Sequence, residues 1–168
     1  IDGDSNNILF NNVTNCHAGN GGGAVCVLAS DCTISNNNIL NNSDDSIGGA
    51  VQITGDNVIV KDNVFSDNVA ATNGGGLCIE GRNSIISENT FINDKATSAS
   101  GGAIKLNGAG NTISYNMFDG CVASHKGGAL FVDGNSNNIL QNNVTNCRAV
   151  NGGGAIYMAG LSNNLKIS

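Results

Sequence analysis

The stretch DGNSNNILQNNVTNCRAVNGGGA, Asp133 to Ala155, restates DGDSNNILFNNVTNCHAGNGGGA, Asp2 to Ala24, with 19 of 23 positions identical. Such a pair is either a copied site or two turns of one screw. The sequence between them decides for the screw. A glycine pair, a small residue and alternating aliphatics begin at Gly22, Gly48, Gly74, Gly101, Gly127 and Gly153, at successive intervals of 26, 26, 27, 26 and 26. A period between roughly 20 and 50 residues marks a solenoid or array, and the twin strings lie five rungs apart.

Within a rung, the residues after the glycines alternate strictly, as in Ala50-Val51-Gln52-Ile53-Thr54-Gly55. Alternation of this kind is the signal of a strand with one buried face. Its inward columns read Val25, Val51, Leu77, Ile104, Leu130, Ile156 and Val27, Ile53, Ile79, Leu106, Val132, Met158. Two further aliphatic or aromatic columns follow along the rung, Ile8, Ile34, Val60, Ile86, Ile113, Ile139 and Val13, Ile39, Phe65, Phe91, Phe118, Val144. Three short strands per rung are therefore expected, each pairing with its counterpart in the next rung. Like residues then stack at about 4.8 Å, and Phe65, Phe91 and Phe118 form an internal aromatic ladder. The flanking glycines supply the positive φ of tight corners.

One polar column is uniform: Asn11, Asn37, Asn63, Asn89, Asn116 and Asn142. Amides in register can bond to one another and satisfy buried backbone groups at the turns, so these residues are assigned to structure. The extra residue of the one longer interval lies in TSAS, Thr97 to Ser100, which is expected to bulge at a surface corner.

Composition agrees with a glycine- and asparagine-rich solenoid: of 168 residues 24 are Gly and none is Pro or Trp. Amphipathic helical periodicity is absent, which argues against a helical solenoid. A net charge of −6 opposes binding to nucleic acid or to an anionic membrane surface, and no apolar run is long enough to span a bilayer. The chain opens at Ile1 and ends in mid-rung, as expected of a piece of a longer protein.

FSDNVAATNGGGL, Phe65 to Leu77, and GGAI, at Gly101 to Ile104 and Gly153 to Ile156, carry a family resemblance. Paired Phe-x-x-Asn and Gly-Gly-Ala-aliphatic repeats resemble those of the chlamydial polymorphic outer-membrane proteins and of adhesin-like surface proteins in methanogenic archaea. Asn68 stands third after Phe65, whereas Asp94 and Cys121 occupy that place after Phe91 and Phe118. The resemblance covers essentially the whole chain. It implies a single-stranded right-handed parallel β-helix displayed extracellularly or at the cell surface, with a role in adhesion or envelope structure. The handedness also follows from a rung too long for the left-handed hexapeptide type. The expected architecture is thus all-β, one domain over residues 1–168. It holds about six rungs, each one glycine-pair interval long and carrying three short strands. The resemblance supplies no catalytic residue and no cofactor.

The alternative function is a carbohydrate-active enzyme, a polysaccharide lyase or hydrolase, working on the outward face of the strand after the glycine pair. That face reads Cys26 and Leu28, Gln52 and Thr54, Cys78 and Glu80, Lys105 and Asn107, Phe131 and Asp133, Tyr157 and Ala159. Glu80 and Asp133 lie two rungs apart, about 9.6 Å, near the wide limit of an inverting glycosidase pair. Phe131 and Tyr157 could stack a sugar there, with Lys105 and Asn107 beside them, so the same residues are the candidates for glycan binding without turnover. Without a cleft or a cause for a raised pKa, a solvated sheet face explains these residues more simply.

Asp2, Asp4 and Asp133 sit in Asx-rich turns faintly like calcium loops, but the loop glycine and terminal glutamate are missing. The cysteines, Cys16, Cys26, Cys32, Cys78, Cys121 and Cys147, form no Cys-x-x-Cys motif. Cys16, Cys121 and Cys147 share a column with Asn42, Asn68 and Asp94. Cys121 and Cys147, one rung apart, are near enough for a disulfide on Cα separation alone. Strand geometry would strain that bridge, so free buried thiols are expected there. Sequons at Asn12, Asn41 and Asn143 are glycan acceptors if the chain is exported. Expected partners are a glycan or a receptor on a host or neighbouring cell. Open β edges at both ends would also favour end-to-end self-association.

Overall fold

Each rung begins with two three-residue strands separated by a tight corner, Asn7–Leu9 and Asn12–Thr14 in the first rung. A two-residue strand, His17–Ala18, lies past a further corner, and the strand after the glycine pair, Val25–Val27, closes the turn. In the computed structural model, which describes residues 1–166, repetition builds four parallel sheets. The first has seven strands and the other three have six. Among the described residues there is no helix. The chain is a parallel β-solenoid whose three-residue strands are those read from the columns. The two-residue strand was not legible, because alternation cannot show itself in two residues.

The register follows the columns. Ile8 pairs with Ile34, Leu77 with Ile104, and Phe65 with both Ile39 and Phe91. The inward aliphatics of the middle rungs are fully buried in one continuous core. Phe65 stacks on Phe91 at 4.6 Å between ring centres and Phe91 on Phe118 at 4.9 Å, with the planes nearly parallel. Register at the interstrand spacing imposes this face-to-face arrangement, although isolated rings prefer offset or edge-on contact.

The corners around the first two strands share one device, a residue in the left-handed conformation followed by an inward polar residue. Asn36 and Asn41, Asp62 and Asp67, and Glu88 and Asn93 all have φ between 55° and 57°. Asn and Asp visit this region readily, whereas Glu88 and Tyr115, at φ 57° and 56°, do so against a cost of about 1–2 kcal/mol each. The two glycines of the pair do different work. Gly48 has φ 64°, while a Cβ on Gly49 would overlap the backbone of Gly75 and Val69. The first supplies the turn, and the second lets the rung close against the third sheet.

TSAS forms the expected surface corner. Thr97 and Ser98 are exposed, and their hydroxyls donate to the carbonyl of Ala71 at 3.0 and 2.5 Å. The extra residue is absorbed there, and pairing resumes in register beyond it, Ile104 with Leu130.

Candidate functional site

The asparagine column is a continuous hydrogen-bonded ladder. Asn63 Oδ1 accepts from both the backbone N–H and the side-chain amide of Asn37, each at 2.9 Å. Asn63 in turn donates from both groups to Asn89 Oδ1 at 2.9 Å, and its amide also reaches the carbonyls of Ile34 and Lys61. The pattern runs from Asn11 to Asn142. One side chain thus satisfies groups of three successive rungs, which explains the uniform column without a ligand.

Two similar ladders flank it, five residues away on either side. One runs through Cys16, Asn42, Asn68 and Asp94. The other joins Ser84, Asn111, Asn137 and Asn163 through backbone N–H donors. Asp94 is fully buried and its Oδ2 has no partner. Burial pushes its carboxyl up to about 8, against the opposing pull of the Asn68 donors, so Asp94 is protonated at neutral pH.

The strand after the glycine pair gathers the other sequence candidates. Lys105 Nζ lies 4.1 Å above the Phe131 ring and 3.9 Å from Asp133 Oδ2. Phe131 and Tyr157 stack in parallel at 5.5 Å, and Lys126 Nζ lies 4.3 Å over Tyr157 while donating to its hydroxyl at 3.0 Å. The aromatic faces that could have stacked a sugar therefore face ammonium groups and each other. Phe131 is only 9 % exposed and Cys78 only 1 %, although their strand positions point outward. In register between Gln52 and Lys105, Cys78 is screened by longer neighbours. Its thiol is pushed up to about 12 by burial and the nearby Glu80. Burial also lowers Lys105 from its ordinary value, with Asp133 opposing.

Glu80 accepts from Gln52 at 3.4 Å while Asp133 turns to Lys105, so the two carboxylates serve different neighbours. Asn107 stands exposed beside them. The arrangement is a flat, internally paired face.

Asp4 accepts the backbone N–H of Ser30 at 2.8 Å, an ordinary turn contact, and Asp2 lies by the N-terminal amine at 3.6 Å. Asp133 is five rungs away from both. Among the described residues no group of three His, Cys, Asp or Glu is placed to hold a metal ion. The six thiols are free, with Cys32, Cys78 and Cys121 buried. Cys121 is held well above the usual thiol range by its hydrogen bond with Cys147 and by burial. Asn12, Asn41 and Asn143 are all exposed.

One feature escaped the sequence candidates. On the outer face of the third sheet, Lys95, Val122 and Arg148 pair in consecutive rungs. They line a shallow depression of about 460 Å³ together with Ser124 and Val150. Comparison with protein-family models, with curated proteins and with solved structures finds no match to this chain.

Proposed function

We propose that this chain is a segment of an extracellular, cell-surface β-solenoid of the adhesin-like kind it resembles, a rigid and non-catalytic rod that presents a variable exterior to a glycan or cell-surface receptor. One observation carries this reading. The ladder position is Asn in six rungs, while the residue immediately before it, exposed at the corner, reads Phe10, Asn36, Asp62, Glu88, Tyr115 and Gln141. The interior is fixed by stacking and the exterior is free to diversify, as suits a displayed scaffold. The exposed sequons accord with such a setting.

The test is retention of the purified chain on glycan arrays and on intact cells, with cleavage of the same glycans assayed in parallel. Retention without turnover is expected. Turnover abolished by Glu80→Gln or Asp133→Asn would instead assign a carbohydrate-active enzyme. Sedimentation over a wide concentration range tests end-to-end self-association of the rod.

A further inference from the structure

The chain is acidic, with 7 Lys and Arg against 13 Asp and Glu, yet its cations are unevenly matched. Lys61 pairs with Asp62 and Glu88, and Lys105 with Asp133. Lys95 and Arg148, both exposed, have no ion pair among the described residues. They stand in one column of the third sheet with Val122 between them, two rungs apart, which is about 9.6 Å along the stack.

The depression follows from side-chain length, since two long basic stems bracket a short valine whose side chain is half-buried. Val150, 77 % exposed, continues the apolar surface. Two carboxylates at the corner that precedes this sheet are engaged elsewhere: Asp67 accepts from Ser66 and Asn93, and Asp119 from Asn146 and Thr145. Those bonds hold Asp119 below its usual carboxylate range.

We propose that this depression is a binding site for an acidic polysaccharide, with Lys95 and Arg148 each taking a carboxylate or sulfate and Val122 and Val150 packing against the C–H face of the intervening sugar. The inference rests on the glycan-binding reading above and specifies its ligand class. Two cations separated along the stack by a nonpolar floor match anionic groups spaced along a polymer, where arginine offers a bidentate fork and lysine a point charge. A nucleic acid would find no exposed aromatic here on which to stack a base.

Titration of the chain at low ionic strength with oligogalacturonate, with sulfated dextran oligosaccharides and with neutral dextran of matched length decides it. Binding to at least one acidic series, little to dextran, and weakening with added salt are expected, and the two acidic arms separate carboxylate from sulfate. Lys95→Gln and Arg148→Gln should each weaken binding about fivefold or more with unchanged thermal stability. Val122→Glu should abolish binding, with circular dichroism confirming the fold. Arg82→Gln, at an exposed cation in a different corner, should change affinity little. Equal binding of neutral dextran, equal loss in Arg82→Gln, or no acidic oligosaccharide bound would overturn the site. Adherence to cells and acidic-oligosaccharide binding that both survive the Lys95→Gln/Arg148→Gln double substitution would overturn it while leaving the adhesin reading intact. Failure of the chain to adhere to any cell, with oligosaccharide binding preserved, would remove the adhesin reading and keep the site.

Discussion

Two ladders five residues apart have the same geometry and different fates. The column from Asn11 to Asn142 is asparagine throughout, whereas the neighbouring one reads Cys16, Asn42, Asn68, Asp94, Cys121, Cys147. Each rung needs a side chain that accepts from the previous rung and also donates to two backbone carbonyls, as Asn89 does to those of Val60 and Ser87. Asparagine meets both needs. At Asp94 the acceptor is kept, since Oδ1 takes both Asn68 donors at 2.9 Å, but the donor is missing. The atom equivalent to Asn68 Nδ2, which donates to Ile39 O at 2.9 Å, is the unpartnered Asp94 Oδ2. Only a proton on that oxygen restores the pattern. A cysteine retains a weak donor, Cys121 Sγ reaching Phe91 O at 3.7 Å, and gives up the strong acceptor. The fold therefore tolerates a broken ladder when the uniform one beside it is intact.

The most severe way to break that contrast is Asn89→Ala, in the middle of the uniform ladder. It strands the donors of Asn63 and the carbonyls of Val60 and Ser87 in the core. At roughly 1–3 kcal/mol for each buried group left unpaired, a loss of about 4 kcal/mol or more in urea unfolding is expected. A loss below about 1 kcal/mol would show that water replaces the amide.

A proton-dependent effect should come next. The Asp94 carboxyl holds its proton to about pH 8 in the folded chain but releases it near 4 when unfolded. The folded state therefore binds the extra proton, and stability falls as pH rises from about 4 to 8, then levels off. Asp94→Asn should abolish this component, so its melting temperature should exceed that of the parent at pH 8 and approach it at pH 4. Coincident pH profiles for the two chains would contradict protonation of Asp94.

Smaller still is the repair of the next rung. Cys121→Asn returns an amide to a position whose equivalent in another rung already holds Asn68. A gain of about 1 kcal/mol is expected, one neutral hydrogen bond, read from the same urea titration. The mildest test is chemical: in mildly alkaline buffer a maleimide should modify the half-buried Cys16 and Cys26 well before Cys78 and Cys121, whose thiols are buried and raised. Mass spectrometry of peptides reports the order.

Much of the fold was legible because stacking turns a repeat into columns. The aliphatic columns, the phenylalanine ladder, the uniform asparagines, the glycine corners and the extra residue at TSAS were each readable from spacing. Of the flanking ladders, that of Cys16, Asn42, Asn68 and Asp94 was readable as a column but not as hydrogen bonds. The other was not readable, since Asn6, Cys32, Val58, Ser84, Asn111, Asn137 and Asn163 mix polar and apolar residues in one column. The five-residue interval from Asn6 to Asn11 to Cys16 was the available signal. At the site, the sequence placed Lys105, Phe131 and Tyr157 on one face. It could not show that the lysines would cover the rings, because that depends on rotamers. The depression beside Val122 was missed for a related reason, being a contrast of side-chain lengths between successive rungs.

By itself the sequence determined the pitch of the solenoid, the strands and the contents of the core, since a fixed period places like residues over like and burial selects the apolar columns. The tertiary structure alone decided which outward residues are shielded, which buried carboxylate oxygens are left without a partner, and which cations stand unpaired. Those outcomes depend on distances between side chains brought together only when one rung lies on the next.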